Sequence, residues 1–113
     1  MPSYEIIFGR MLKDGRVVVT NNSPTDIPLG TTFNTAFWTS AEIVDGEFRN
    51  RISGTVADID LTIERVDVFR RQVGCIPKGY SAAVELVGSG LGAVLLWFDL
   101  PKQEHIQIIL RAI

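Results

Sequence analysis

The sequence predicts an all-β protein: a small closed or partly open antiparallel β-barrel of about seven or eight strands, within one domain over residues 1–113. Apolar residues recur mostly at every second position or in short β-branched runs, and helical spacing is hard to find. Turn signals rich in glycine, proline, asparagine and aspartate separate these runs. With 113 residues, 46% hydrophobic and 21% charged, the chain has enough apolar material to fold alone.

The first half of the chain predicts two paired strands, a loop and a third strand. Residues 4–12 and 16–21 alternate on either side of a tight turn at Gly15. The stretch "NNSPTDIPLG", residues 21–30, carries two prolines, two asparagines and a glycine, so we expect a loop that leaves the sheet. A new strand then covers residues 32–43.

The middle of the chain predicts a long strand with a bulge. A turn signal at Gly46 leads into the polar stretch 47–55, which fits either a hairpin arm or a loop. The next strand, 56–71, alternates until its apolar face slips by one residue. Such a slip predicts a β-bulge near Glu64-Arg65. The apolar positions on the two sides of the slip are Ile59, Leu61 and Ile63, then Val66 and Val68.

The last third predicts three more strands. A turn at 77–79 starts a strand over 80–87. We expect one face of this strand to carry Tyr80, Ala82, Val84 and Leu86. The glycine-rich "GSGLG", residues 88–92, is interpreted as a turn and not as a dinucleotide-binding loop, because a strand-like apolar run follows it where that motif requires a helix. This run, 93–100, suits a strand buried on both faces. A strand over 105–113 closes the chain.

Four segments in this order resemble a known β-barrel. A glycine-turned hairpin, "GRMLKDGRVVV", precedes "TDIPLGTTF"; the strand "LTIERVDVFRRQV" follows, and then the turn and strand "IPKGYSAAVELVGSG". Together they resemble the second domain of translational GTPases, as in elongation factor Tu, over residues 4–92. In that family the barrel supports a GTPase domain and helps to contact the aminoacyl end of tRNA. The resemblance therefore implies a binding role.

The chain also departs from the family pattern. Gly30-Thr31 stands where the family has glycine-aspartate, and residues 77–80 stand where it has alanine-glycine-aspartate. No segment matches G-x-x-x-x-G-K-[ST], the loop whose backbone amides cradle phosphates. We therefore expect a free-standing barrel that does not hydrolyse GTP.

Charge and cysteine content point to a cytoplasmic protein that does not act at membranes. The net charge is −2 and the isoelectric point about 5.3, so no global positive field attracts nucleic acid or anionic lipid. The first residues lack the pattern of a signal peptide, and no apolar run approaches the ~20 residues of a membrane span. The lone Cys75 cannot form an internal disulfide, in agreement with a reducing compartment.

No catalytic or metal-binding constellation stands out, so we expect no enzyme and no cofactor. Metal sites need three or four convergent ligands, and the chain has one histidine, His105, and one cysteine. Cys75 fits a small buried residue better than a nucleophile paired with His105. Asp58 and Asp60 share a strand face, the minimum for a divalent cation or an acid–base pair. Exposed charges that protect a strand edge explain them more simply.

The most plausible contact surface lies around the 77–80 turn. Its predicted residues are Arg65, Phe69, Arg70, Arg71, Lys78 and Tyr80. Further basic and aromatic residues that could interleave with them are Arg49, Arg51, Phe37, Trp38 and Phe48. Basic groups beside aromatic rings are typical of single-stranded RNA recognition on a β-barrel. Acidic residues elsewhere balance these charges, which is also typical of a solvated surface.

Three functions remain open at this point. The leading one is a non-enzymatic cytoplasmic module that docks a protein partner in an accessory or neutralising role. The alternative is a barrel that binds RNA or tRNA in translation. The third is an enzyme that uses Cys75 or the pair Asp58 and Asp60.

Overall fold

The computed structural model describes residues 3–56, 59–95 and 107–112. In these ranges the backbone forms eleven strands and one short helix. The strands are β1 Tyr4–Met11, β2 Val17–Asn21, β3 Ile27–Pro28, β4 Thr32–Phe33, β5 Thr35–Val44, β6 Glu47–Val56, β7 Asp60–Val68, β8 Arg71–Val73, β9 Cys75–Ile76, β10 Ser81–Ser89 and β11 Gln107–Ala112, and the helix α1 is Leu91–Leu95. The all-β prediction is confirmed, and the polar stretch 47–55 is a hairpin arm.

One antiparallel sheet curls into a nearly closed barrel. Its strands follow the order β4-β7-β10-β2-β1-β11-β5-β6, and β8 pairs with the last residues of β7. β4 and β5 are almost one continuous strand, interrupted only at Asn34. Because β4 pairs with β7 and β5 pairs with β11, this strand brings the two sides of the sheet together. Counting β4 and β5 as one strand leaves seven along this path, as the sequence predicts.

Alternating side chains fill the inside of the barrel. Phe33, Leu61, Ile63 and Leu110 are fully buried, and each contributes about 1.5–3 kcal/mol through removal of apolar surface from water. The same cluster includes residues from every long strand whose side chains are described. In β10, the prediction that Ala82, Val84 and Leu86 face inward is confirmed, because all three are buried.

The predicted bulge in β7 is present. Arg65 pairs with Glu85 and Ile63 pairs with Leu86, so Glu64 is an extra residue without a partner across the ladder. The bulge returns Val66 to the interior, where it is fully buried. One added residue therefore keeps the apolar face of β7 pointing inward along its whole length.

The prediction of one strand over 56–71 is wrong at both ends: Val56 is the last residue of β6, and β7 begins at Asp60. β7 stops at Val68, and Phe69 and Arg70 form a two-residue turn into β8. The prediction for Tyr80 is also wrong: its side chain is 47% exposed, because it belongs to the turn before β10 and not to the strand. The turn at Phe69 and Arg70 lacks the glycine or asparagine that usually announces a two-residue turn.

The predictions of a turn at 88–92 and of a buried strand at 93–100 are wrong where the structure describes these residues, because β10 continues to Ser89 and a helix follows. Residues Leu91–Leu95 form the helix α1, and 96–100 lie outside the described residues. The glycines before the helix are required by close packing. A Cβ atom on Gly88 would lie 1.7 Å from the carbonyl oxygen of Asp60, and one on Gly90 would lie 2.6 Å from Cγ2 of Ile59.

The predicted loop at 21–30 contains a short strand that the sequence analysis missed. β3 pairs with β9 in a separate two-stranded sheet. The buried Asn21 anchors this part of the chain, because its Nδ2 donates to the carbonyl oxygens of Ile76 (2.8 Å) and Thr25 (3.0 Å). As a result the segment 71–77 is fastened to the barrel at both ends.

In the part of the chain that the structure describes, no helix has the length and apolar character needed to span a lipid bilayer.

Candidate functional site

The turn between β7 and β8 is the most unusual backbone feature of the described chain. Val68 pairs with Arg71, so Phe69 and Arg70 alone make the loop. Their φ angles are 50° and 64°, the left-handed region that a type I′ turn needs at both central positions. Bulky side chains disfavour this conformation, and asparagine-glycine normally occupies it. Phe69 nevertheless stands there with its side chain 84% exposed.

A groove lies at the base of this turn. Its volume is about 490 Å³, and its lining residues are Val68, Phe69, Arg71, Val73, Cys75 and Pro77. Positions 71, 73, 75 and 77 share one face because the segment is extended, so every second side chain points the same way. We call this concavity, with the adjoining Arg70, Lys78 and Tyr80, the 68–80 groove.

Two aromatic rings frame the 68–80 groove. The rings of Phe69 and Tyr80 meet edge to face, with centroids 6.1 Å apart and planes at 78°. Tyr80 is placed by the preceding turn, where its backbone nitrogen donates to the carbonyl oxygen of Pro77 at 3.0 Å. Gly79 supplies the positive φ of 76° that this turn requires.

The predicted basic residues fall into two groups. Among the residues that the structure describes, the exposed side chains of Arg70, Arg71 and Lys78 have no ion-pair or hydrogen-bond partner. Arg65 differs, because its guanidinium donates to both carboxylate oxygens of Asp67, at 2.9 and 3.2 Å. Five of the six predicted residues therefore lie at one surface with their polar groups or rings available. Arg65 is also exposed, at 48%, but its guanidinium is occupied by Asp67.

Asp67 holds the hairpin that carries the 68–80 groove. Its side chain is 7% exposed, and its Oδ2 also accepts a hydrogen bond from Arg16 Nη1 at 3.0 Å. The hydrogen bonds from Arg65, and then from Arg16, keep the pKa of Asp67 below its ordinary value, although partial burial acts in the opposite direction. A buried carboxylate with two guanidinium partners is a structural anchor.

Cys75 is not the buried residue that the sequence analysis predicted. It is half-buried in β9 and lines the groove. Two of the other chemical candidates, Asp58 and His105, lie outside the described residues. Asp60 is exposed at the start of β7. Over the described ranges, no group of three or more histidine, cysteine, aspartate or glutamate side chains could hold a metal ion.

A second concavity, of about 410 Å³, lies beside β1. Its polar groups already bind one another: Glu5 accepts hydrogen bonds from Asn22 Nδ2 at 2.6 Å and from Arg111 Nη2 at 2.7 Å. The guanidinium of Arg111 lies 4.8 Å from the centre of the Phe37 ring, which is 6% exposed. Phe37 is therefore covered, and the side chain of Phe48 lies outside the described set.

Sequence reasoning missed the floor of the 68–80 groove. Val73 and Cys75 were not predicted as surface residues, although their odd-numbered spacing with Arg71 and Pro77 is the pattern of one strand face. This strand pattern was not recognised because Gly74 and Pro77 are residues typical of turns and strand ends. In addition, Ile76, between two groove residues, is fully buried.

Within the described residues, fold and surface together define a small, nearly closed antiparallel β-barrel with an exposed aromatic and basic groove. Comparison with protein-family models found no match, and searches of curated proteins and of solved structures found none either. The likeness to domain 2 of elongation factor Tu stays a prediction.

Proposed function

We propose that this chain is a non-enzymatic, cytoplasmic binding module that docks a protein partner through the 68–80 groove. The observation that carries the proposal is the presentation of Phe69. A left-handed backbone at a bulky residue costs on the order of 1 kcal/mol or more. The Phe69 ring is 84% exposed and makes one edge-to-face contact with Tyr80, so it buries little apolar surface inside the chain in return.

The surroundings of Phe69 support docking of a macromolecule. Exposed aromatic side chains beside arginine are the residues most enriched at the energetic centres of protein interfaces. The groove supplies a concavity next to the ring, and the exposed Arg70, Arg71 and Lys78 supply polar contacts around it.

The proposal includes a role like that of a translational-GTPase second domain, used as an accessory or neutralising partner of another protein. The antiparallel barrel is the fold that this resemblance implies. A cytoplasmic location agrees with the single unpaired Cys75.

Site-specific photo-crosslinking in the source cell tests the proposal. A benzoyl-phenylalanine placed at position 69 should give discrete protein adducts, because the side chain there would lie in the interface. The matched control carries the same photoreactive residue at Val87, which is 48% exposed on β10. Protein docking is refuted if position 69 yields no adducts beyond those of position 87.

RNA binding is the second candidate, and the unpaired cations favour it. Arg70, Arg71 and Lys78 beside two rings could contact phosphates and bases. Such binding would weaken steeply as salt rises, because phosphate contacts release counterions. A mobility-shift assay with single-stranded RNA and tRNA should then show a salt-dependent shift that the R70Q/R71Q variant loses and the R10Q/K13Q variant keeps.

A further inference from the structure

We infer that the 68–80 groove takes an extended acidic peptide segment that carries one large apolar side chain. This inference rests on the proposed protein-docking function and names the chemistry of the partner.

The lining of the groove defines the apolar part of the ligand. Val68, Phe69, Val73 and Pro77 contribute apolar surface, and the Cys75 thiol adds a weakly polar group. A volume of about 490 Å³ lies within the usual range of pockets for small ligands and accommodates one or two side chains, not a folded surface. A single leucine, phenylalanine or tryptophan anchor matches this space.

The charge distribution defines the rest of the ligand. Residues 69–80 carry three cations and no carboxylate, in a chain whose net charge is −2. Elsewhere, Arg16, Arg65 and Arg111 each face an aspartate or glutamate at 3.0 Å or less.

Among the described residues, two carboxylates approach the 68–80 groove from neighbouring elements, and cations neutralise only Asp67. Asp26 accepts a hydrogen bond from the backbone nitrogen of Lys78 at 2.9 Å, and Asp67 binds Arg65 and Arg16. Asp26 keeps its charge beside Lys78, so the three cations of residues 69–80 still leave the groove with a positive balance, which acidic side chains complement.

The position of β8 favours an extended ligand. Within the described residues β8 pairs only with β7, so its second edge has no strand partner up to Gly74, whose carbonyl oxygen accepts a hydrogen bond from the Leu29 backbone nitrogen at 2.9 Å. An extended peptide can add to such an edge through main-chain hydrogen bonds while its alternate side chains enter a groove. The shared face of positions 71, 73 and 75 would receive those side chains.

The ring geometry favours a peptide over RNA. Base stacking needs open aromatic faces. Phe69 and Tyr80 meet at 78°, so the edge of one ring covers part of the face of the other. The mostly apolar floor offers bases few hydrogen-bond partners, whereas it suits an apolar side chain.

Selection from a displayed library of random dodecapeptides on the full chain tests the inference. Enriched peptides should be acidic, with one large apolar residue. Their dissociation constants, measured by fluorescence anisotropy, should rise about tenfold in F69A, as for loss of an interface anchor. In R70Q/R71Q/K78Q they should rise to a similar extent at low salt, and their salt dependence should flatten.

Matched variants separate this effect from general damage. M11A removes an apolar side chain that is 43% exposed and far from the groove in sequence, and R10Q/K13Q removes two exposed cations. Both variants should bind the peptides as the unaltered chain does. Enrichment of neutral or basic peptides, or equal binding by F69A, would overturn the inference. So would labelled oligouridylate that binds at moderate salt and competes with the peptides.

The outcome is distinct from that of the crosslinking experiment. Photo-adducts at position 69 report any protein partner, whatever its charge. If adducts form and acidic peptides do not bind, the docking function stands and the acidic-peptide inference fails. If neither is observed, both fail.

Discussion

Phe69 and Arg70 show how a single residue pair can go against local preference. A two-residue hairpin with positive φ at both positions favours asparagine-glycine, and the flanking strands do not need aromatic or basic side chains there. The ring of Phe69 touches Tyr80 and is otherwise exposed. A conformation that is costly and gains little inside the chain is expected where the side chain acts on something outside it.

The double variant F69N/R70G separates stability from binding. Asparagine and glycine adopt the left-handed conformation at lower cost, which stabilises the turn, whereas loss of the Phe69–Tyr80 contact destabilises it. We expect the net effect to raise the free energy of unfolding by about 1 kcal/mol. Denaturant titration measures the gain, and photo-crosslinking from a neighbouring position, such as Arg71, measures the loss of partner adducts. A variant that is both less stable and fully competent to bind would contradict this account.

Asp67 makes stability depend on pH. Its folded pKa is depressed by Arg65 and Arg16, so its contribution is fully present above the pKa of the unfolded carboxyl, about 3.9, and is lost as the pH falls through the lower folded pKa. D67N should therefore be less stable than the unaltered chain at neutral pH, and the difference should shrink as the pH falls below about 4.

Urea titration of both proteins at several pH values measures that difference. D60N is the matched control, because Asp60 is exposed on the same strand and makes no ion pair within the described ranges. An Asp67 effect that stays constant with pH would show that packing, and not charge, explains it.

At the scale of elements, the junction between β10 and α1 depends on a close backbone approach. Gly88 pairs with Leu61 and has a φ of 143°, and a Cβ atom there would lie 1.7 Å from the Asp60 carbonyl oxygen. The end of β10 can therefore pack on the start of β7 only where no side chain stands between them.

G88A should lower the free energy of unfolding by about 3 kcal/mol, because the backbone of β7 or β10 must shift. G92A is the matched control: a Cβ atom there meets nothing within 4 Å, and the residue is helical, so stability should stay the same or rise by up to about 1 kcal/mol. Thermal unfolding of the two variants gives the comparison. Equal effects would show that the approach of Asp60 is relaxed in solution.

At the scale of the whole molecule, the ring of strands predicts cooperative unfolding. The segment of β4 and β5 joins β7 to β11, and the backbone nitrogen of Asn34 donates to the Arg111 carbonyl oxygen at 3.0 Å. Strands distant in sequence thus depend on one another for their pairing and for the shared core.

Calorimetry should show one transition whose calorimetric and van't Hoff enthalpies agree. For a chain of this length, the unfolding enthalpy at 60 °C should be about 80 kcal/mol. Intrinsic tryptophan fluorescence, to which the partly buried Trp38 contributes, should report the same midpoint as far-ultraviolet circular dichroism. Two separate transitions would show that the β5–β6 hairpin folds independently of the ring.

The alternation of apolar residues was sufficient to predict the class of fold, most long strands and the bulge at Glu64, because side chains in a strand point to opposite faces and one face must be buried. It also placed Phe69, Arg70 and Arg71 near the 77–80 turn. Only the tertiary structure decided that Phe69 and Arg70 form a turn, that Leu91–Leu95 is helical, that β3 pairs with β9, and that Cys75 lines a groove. The pairing of β3 with β9 depends on contacts between residues far apart in sequence, which override local preference once the barrel closes. The turn at Phe69 and Arg70 is a local hairpin, and it was missed because it lacks the usual turn residues.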